Sequence, residues 1–162
     1  INSSYLRPPK TSTSKSSLVE TLLHFANWSI DKYAIDYLVI LQPTSPLRTK
    51  NDINSAIKLT LKNRYKSLFS ISESVEHPYE AIDLYKKNSW KYVLKDSNKF
   101  YRRQDFDINS YFINGAIYII SKNYLIKNKS IISNKHGLYQ TSKSRSLDIN
   151  DKDDLIIAKK IL

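Results

Sequence analysis

The sequence predicts an α/β domain, and three observations carry that reading. A β-branched apolar run, Leu38-Val39-Ile40-Leu41, stops abruptly at a polar loop held between Pro43 and Pro46. A capped amphipathic pattern follows, and then a second strand-prone stretch at 67–71. Four apolar residues in a row suit a strand covered on both faces. The order strand, loop, helix, strand makes a right-handed parallel crossover the default.

The elements follow in chain order. Residues 1–15 are polar, with Arg7-Pro8-Pro9 before a Ser/Thr-rich stretch, and read as a loop. Ser17 and Glu20 form a capping-box pattern ahead of Leu18, Val19, Leu22, Leu23, Phe25 and Ala26, which predicts a helix of about three turns. The opening strand is expected at 37–42 and a helix at 51–64, capped by Thr49 or Asn51 with Ile53, Ala56, Ile57 and Leu61 on its apolar face. Strand-prone residues at 81–85 and 90–94 flank Lys86-Lys87-Asn88-Ser89, a hairpin pattern. A charged loop at 95–110 leads to the most strand-prone run, at 111–120, which has Gly115 inside it. Glycine in a strand interior marks a bulge or a close approach by a ligand or backbone. A short helix at 122–127, an unpatterned stretch to 144 and a closing helix at 152–162 complete the reading.

With 162 residues, the chain fits one domain with a real core. It contains no cysteine, so disulfides, cysteine-ligated zinc and a thiol nucleophile are excluded. A cytoplasmic location fits. No signal peptide opens the chain and no membrane-spanning run occurs in it, so no membrane partner is expected. The chain starts on Ile1 in mid-pattern, and a longer parent is expected. A net charge of +11 invites a nucleic-acid reading. However, Lys is scattered among Asn, Ile and Tyr without any basic block, so a solvated surface or a small-anion site is expected and nucleic acid is not.

Three polar groups fall at strand ends or in flanking loops: Gln42 with Thr44, Ser45 and Arg48; Arg102-Arg103-Gln104-Asp105 followed by Asn114-Gly115; and Asp148 with Asn150 and Asp151. Arginine forks match phosphate and carboxylate oxygens. Oxygen ligands at i and i+2 on an extended segment point to one side and can share a Mg²⁺ ion. These are the parts of a phosphoryl or nucleotidyl transfer site. Each also has a structural reading. Gln42 and Thr44 can cap a turn, Arg102 and Arg103 can be a solvated pair, and the acidic residues from Asp148 to Asp154 can favour a helix N-terminus.

The order of the motifs adds to this. Leu41-Gln42-Pro43-Thr44-Ser45-Pro46-Leu47-Arg48, then Arg103-Gln104-Asp105, then Asn114-Gly115-Ala116-Ile117-Tyr118-Ile119, then Asp148-Ile149-Asn150 with Asp154-Leu155, resembles the acylneuraminate cytidylyltransferases. The first and third motifs are long and specific, the second and fourth loose. The resemblance implies a Rossmann-like nucleotide-diphospho-sugar transferase fold with a mixed, mostly parallel sheet. It also implies a hairpin dimerisation insertion at 75–110 within a single partial domain, 1–162, and a homodimer. The implied reaction joins an acidic nine-carbon (nonulosonic) sugar to CTP with Mg²⁺, releasing pyrophosphate. Gln42, Thr44, Ser45 and Arg48 would line the cleft, and Arg103 and Gln104 would meet phosphate or sugar. Asn114 and Gly115 would lie against the acid sugar, with Asp148 and Asn150 at the metal; Asp148 and Arg103 would be the catalytic pair.

The sequence departs from the family pattern in three places. A Gly-rich phosphate loop after an opening strand is not found in these residues, so the chain alone is expected to bind CTP poorly. Asn150 stands for the second carboxylate of an Asp-x-Asp pair, which removes one negative charge from the metal site. Glu80 stands where a lysine often follows the His-Pro pair. These departures motivate the alternative of a non-catalytic sugar-binding or dimerisation relative.

Overall fold

The structure is a computed structural model, and it describes residues 5–13, 15–87, 89–95, 97, 102, 106 and 109–162. Its first helix, α1 (Leu18–Trp28), is capped at Ser17, whose side chain accepts from the Glu20 N–H. Strand β1 (Tyr37–Ile40) runs into the proline-bounded loop, and helix α2 (Lys50–Asn63) follows. At the start of α2 the Thr49 side chain accepts the Asp52 N–H and the Asp52 carboxylate accepts the Thr49 N–H. This reciprocal box places Thr49, rather than Asn51, at the cap.

Strand β2 (Ser67–Glu73) is followed by the hairpin β3 (Ile82–Lys86) and β4 (Ser89–Tyr92), then by β5 (Tyr111–Ser121), α3 (Lys122–Asn128), β6 (His136–Gln140) and α4 (Lys152–Ile161). Strand β6 falls in the stretch that looked unpatterned. It is short, one of its five residues is Gly137, and it is held by parallel pairing to β2 rather than by its own periodicity.

The main sheet has the order β1-β5-β2-β6. β5 is antiparallel to both β1 and β2, while β2 and β6 are parallel. Thus β1, β2 and β6 point one way and the single reversed strand sits between β1 and β2. The sheet is mixed, and the crossover from β1 through α2 returns to a parallel strand one place removed. Beyond the register shift, from Ile117 to Ile120, successive β5 residues serve opposite faces. Ile120 packs with Leu22, Ala26, Leu38 and Leu125 under α1 and α3, while Ile119 and Ile117 pack with Ala56 and Leu68 under α2. The result is a helix–sheet–helix sandwich. The β3–β4 hairpin forms a separate two-stranded sheet whose residues are almost all exposed. Among the described residues no helix is long and apolar enough to cross a membrane.

Candidate active site

The cleft grows out of one irregularity in the sheet. β2 pairs with β5 in register from Ser67 to Phe69, then slips between Phe69 and Ile71. Opposite the slip, Gly115 takes φ +74°, a left-handed conformation that is costly for any residue with a Cβ. An added Cβ there would also sit 2.5 Å from Gln42 Oε1, so the missing side chain makes room for Gln42 at the end of β1. The strand glycine therefore marks both a bulge and a close approach.

Asn114 holds the bulge together. Its Oδ1 accepts from Ser70 Oγ at 2.6 Å and from the Ala116 N–H at 3.2 Å, and its Nδ2 donates to Thr141 Oγ1 at 2.7 Å. Ser70 Oγ in turn accepts the Ile117 N–H at 2.8 Å. Asn114 thus has one Nδ2 hydrogen left to offer a ligand.

The loop after β1 is pinned from within. Gln42 O accepts the Ser45 N–H at 3.3 Å, which closes a turn around Pro43 and Thr44. Arg48 Nη1 donates to Gln42 O at 2.7 Å and to Ala116 O at 3.0 Å, tying the loop to β5. Burial lowers the Arg48 pKa from its ordinary value, though an arginine remains charged. Ser45 is buried, and its Oγ has no partner among the described residues. Thr44 O accepts the Ile149 N–H at 2.8 Å, which brings the third polar group against the first.

A cleft of about 490 Å³ opens at this end of the sheet. Its walls include Gln42, Asn114, Gly115 and Asp148, four of the residues singled out from sequence, together with Ser72, Tyr118 and Ser146. Asp148 Oδ1 is buried and has no hydrogen-bond partner among the described residues. Tyr118 lies beyond the Gly115 bulge, where the register slip breaks the period-two pattern, so strand parity with Asn114 could not have found it. Its pKa is raised, first by burial and then by the charge of Asp148, so it stays a phenol that can donate. Glu73 and Glu76 also line this cleft; nothing in their sequence pattern pointed to it.

The other expected site residues lie around this centre. Thr44, Ser45 and Arg48 support the wall through the contacts above. Asn150 is exposed; its Nδ2 donates to Asp148 O at 3.3 Å, which leaves its carbonyl oxygen available. Arg103 and Gln104 lie outside the described residues. Among the described residues no three His, Asp or Glu side chains gather to hold a metal. Asp148 therefore offers one orphaned carboxylate oxygen in a cleft that Glu73 and Glu76 also line, with the Asn150 amide two residues along the chain. That suits Mg²⁺, which binds through one or two carboxylates and takes its remaining ligands from water and substrate phosphate.

Behind the cleft lies a network that sequence reading missed. Asp52, 2% exposed, does more than cap α2. Arg145 reaches it with two bonds, Nε to Oδ2 and Nη2 to Oδ1, both at 3.2 Å, and Tyr139 O–H donates to Oδ1 at 3.1 Å. Burial pushes the Asp52 pKa up. The bonds from Thr49, Arg145 and Tyr139 outweigh that and hold it below the ordinary carboxylate value. The partners are up to 93 residues apart, beyond any local pattern.

This is an α/β protein with a polar, carboxylate-bearing cleft at the C-terminal ends of its parallel strands, the usual ligand position in open α/β sheets. Comparison with known proteins makes the assignment narrower. The chain is 32% identical over 151 residues to an N-acylneuraminate cytidylyltransferase of Streptococcus agalactiae serotype III (strain NEM316), which covers 93% of this chain and 35% of that protein. It is 30% identical over 155 residues to the N-acylneuraminate cytidylyltransferase of Escherichia coli O18:K1:H7, covering 94% of the chain and 35% of the relative. The CMP-N,N'-diacetyllegionaminic acid synthase of Legionella pneumophila is 29% identical over 169 aligned positions, covering 98% of the chain and 68% of that protein. No family model matches the chain. The chain is thus similar along nearly its whole length to acylneuraminate cytidylyltransferases, and it spans 35% of the length of the streptococcal and E. coli relatives.

Proposed function

We propose that the protein transfers CMP from CTP to a sialic or related nonulosonic acid and releases pyrophosphate. The observation that carries this reading is Asp148 Oδ1, a buried carboxylate oxygen without a partner in a cleft shared with Gln42, Asn114 and Gly115. An unsatisfied buried carboxylate oxygen costs stability, and a cation or donor in the cleft would relieve that cost. Mg²⁺ held by Asp148, with the Asn150 carbonyl beside it, would neutralise charge on the nucleotide phosphates.

The chain's own residues do the rest by positioning. Gln42 and the free Nδ2 hydrogen of Asn114 offer amide contacts to sugar or base. Gly115 leaves room for the Gln42 side chain in the cleft wall. Tyr118 offers a phenolic donor next to Asp148. Arg103 and Gln104 would meet phosphate or sugar. Phosphoryl transfer needs little more from a protein than in-line positioning and charge neutralisation.

The same reading includes a homodimer built on the 75–110 insertion. Exposed apolar side chains on the β3–β4 hairpin support it: Leu84 is 71% exposed, Val93 59% and Trp90 52%. So large an apolar surface on a thin hairpin is typical of an interface.

The test is pyrophosphate release by the full-length protein from CTP, Mg²⁺ and a panel of nonulosonic acids. Release with at least one acid supports the reading, and no release with any of them refutes it. Asn150, in place of a second carboxylate, favours one other reading: a sugar-binding or dimerisation relative without catalysis. Calorimetry separates the two, since that alternative predicts sugar binding with no Mg²⁺-dependent CTP binding.

A further inference from the structure

We infer that Arg145 is a positioning residue for this site: clamped to Asp52 and Tyr139, it sets the 146–150 segment so that the Asp148 carboxylate faces Gln42 and Gly115. The inference rests on the proposed cytidylyl transfer for the reason a divalent ion would sit at Asp148. Its geometry stands on separate observations.

The first is the over-commitment of Asp52. A capping box needs one oxygen, and Asp52 Oδ2 fills that role by accepting the Thr49 N–H at 2.8 Å and Thr49 Oγ1 at 2.7 Å. Oδ1 is spare for capping, and it is taken by Arg145 Nη2 and Tyr139 O–H. The planar guanidinium meets both carboxylate oxygens, a two-point contact that fixes orientation as well as distance. A lysine cannot reproduce it.

The second is where Arg145 stands in the chain. It ends the 3₁₀ turn Lys143–Arg145, and the next residue, Ser146, already lines the cleft. On the far side of Asp148, the Ile149 N–H is bonded to Thr44 O at 2.8 Å. The residues between Arg145 and Ile149 are therefore stretched between two fixed points, the N-terminus of α2 and the loop after β1. Tyr139 lies on β6, so the clamp also ties this segment to the sheet.

The third is that Asp148 holds a position it would not choose on its own. Its Oδ1 is buried without a partner, whereas a free segment would turn that oxygen to water. Something must hold it in place: the Arg145 clamp and the Ile149 tether fix the segment on either side, and Asn150 Nδ2 bonds the Asp148 carbonyl. Partners that orient a metal ligand in this way are worth about 10–100-fold in metal affinity or activity.

The test uses the full-length protein and the variants R145A, R145K and Y139F, with two readouts. Amide hydrogen exchange across 146–150 is expected to rise about 10-fold or more in R145A while α2 and β2 stay protected. Binding of Mn²⁺, used as the probe ion, is expected to weaken about 10-fold in R145A and to be only partly restored in R145K, which keeps the charge and loses the fork. Y139F, which removes a single bond, is expected to shift both readouts in the same direction by less. If R145A unfolds globally, R145K and Y139F carry the test. Unchanged exchange at 146–150 overturns the inference, as does faster exchange with unchanged Mn²⁺ affinity, or failure of the wild-type protein to bind Mn²⁺ at all. Wild-type protein that binds Mn²⁺ in the expected variant order but releases no pyrophosphate with any acid counts against the transferase reading and leaves the clamp standing.

Discussion

Replacing Gly115 with alanine probes the link between backbone conformation and cleft most sharply. The native φ of +74° lies where an L-residue with a Cβ is disfavoured, at a cost of about 1–2 kcal/mol. The new methyl would stand 2.5 Å from Gln42 Oε1. Because that oxygen is the end of a flexible side chain, Gln42 rotates away, at a further cost of about 0.5–1.5 kcal/mol if it leaves its rotamer. Against these, alanine reduces the freedom of the unfolded chain by about 0.4–1 kcal/mol. The net loss is about 0.5–3 kcal/mol, a fall in Tm of about 1–12 °C for a chain of this size. Urea unfolding of wild type, G115A, Q42A and the double variant measures it. Removing the Gln42 side chain removes the clash and leaves the backbone strain, so the double variant is expected to be less destabilised than the sum of the singles, by about 0.5–1.5 kcal/mol. A G115A cost under about 0.5 kcal/mol, or additive single effects, would refute the account of how Gly115 shapes the cleft.

Three further outcomes are expected. D148N should abolish Mg²⁺-dependent pyrophosphate release while leaving thermal stability within about 1 kcal/mol of wild type, because the buried Oδ1 has no hydrogen bond among the described residues to lose; differential scanning calorimetry beside the activity assay checks both. Asp52 has a folded pKa below its ordinary value, so its contribution to stability is fully present above about pH 4, the unfolded value, and is lost as pH falls through the folded value. D52N should therefore cost about 2 kcal/mol near neutrality and flatten the acid limb of the stability–pH curve, measured by urea unfolding from pH 7 to pH 3. L84D paired with W90A should convert a dimer to monomer in light scattering without lowering Tm by more than about 2 °C, since both side chains are more than half exposed in the single chain.

Much of the fold was legible because its signals are local. Ser17 and Thr49 cap their helices, the apolar run from Leu38 to Ile40 is a strand, though an edge strand with Val39 exposed rather than one covered on both faces, and the hairpin turn falls where the strand-prone residues flank Lys86-Lys87. β6 was not legible, because its stability comes from pairing with β2 across the sheet. Of the candidate site, Gln42, Asn114, Gly115 and Asp148 do come together at one cleft. Arg48 shows where reading residue by residue stops. A lone arginine after a strand looks like an anion fork, yet the partners of this one are the main-chain carbonyls of Gln42 and Ala116. Asp52 shows the same limit from the other side. Its capping role is written in Thr49 three residues earlier, while its bond to Arg145 depends on how the chain folds back.

The central claim is that this cleft joins CMP to an acid sugar with the help of a divalent ion at Asp148. Phosphorus NMR of the full-length protein with CTP, Mg²⁺ and nonulosonic acids tests it directly. The account predicts a new phosphodiester resonance growing in step with pyrophosphate for wild type, and neither signal for D148N. Triphosphate resonances that persist unchanged with every acid tested would contradict it, and so would equal product formation by D148N.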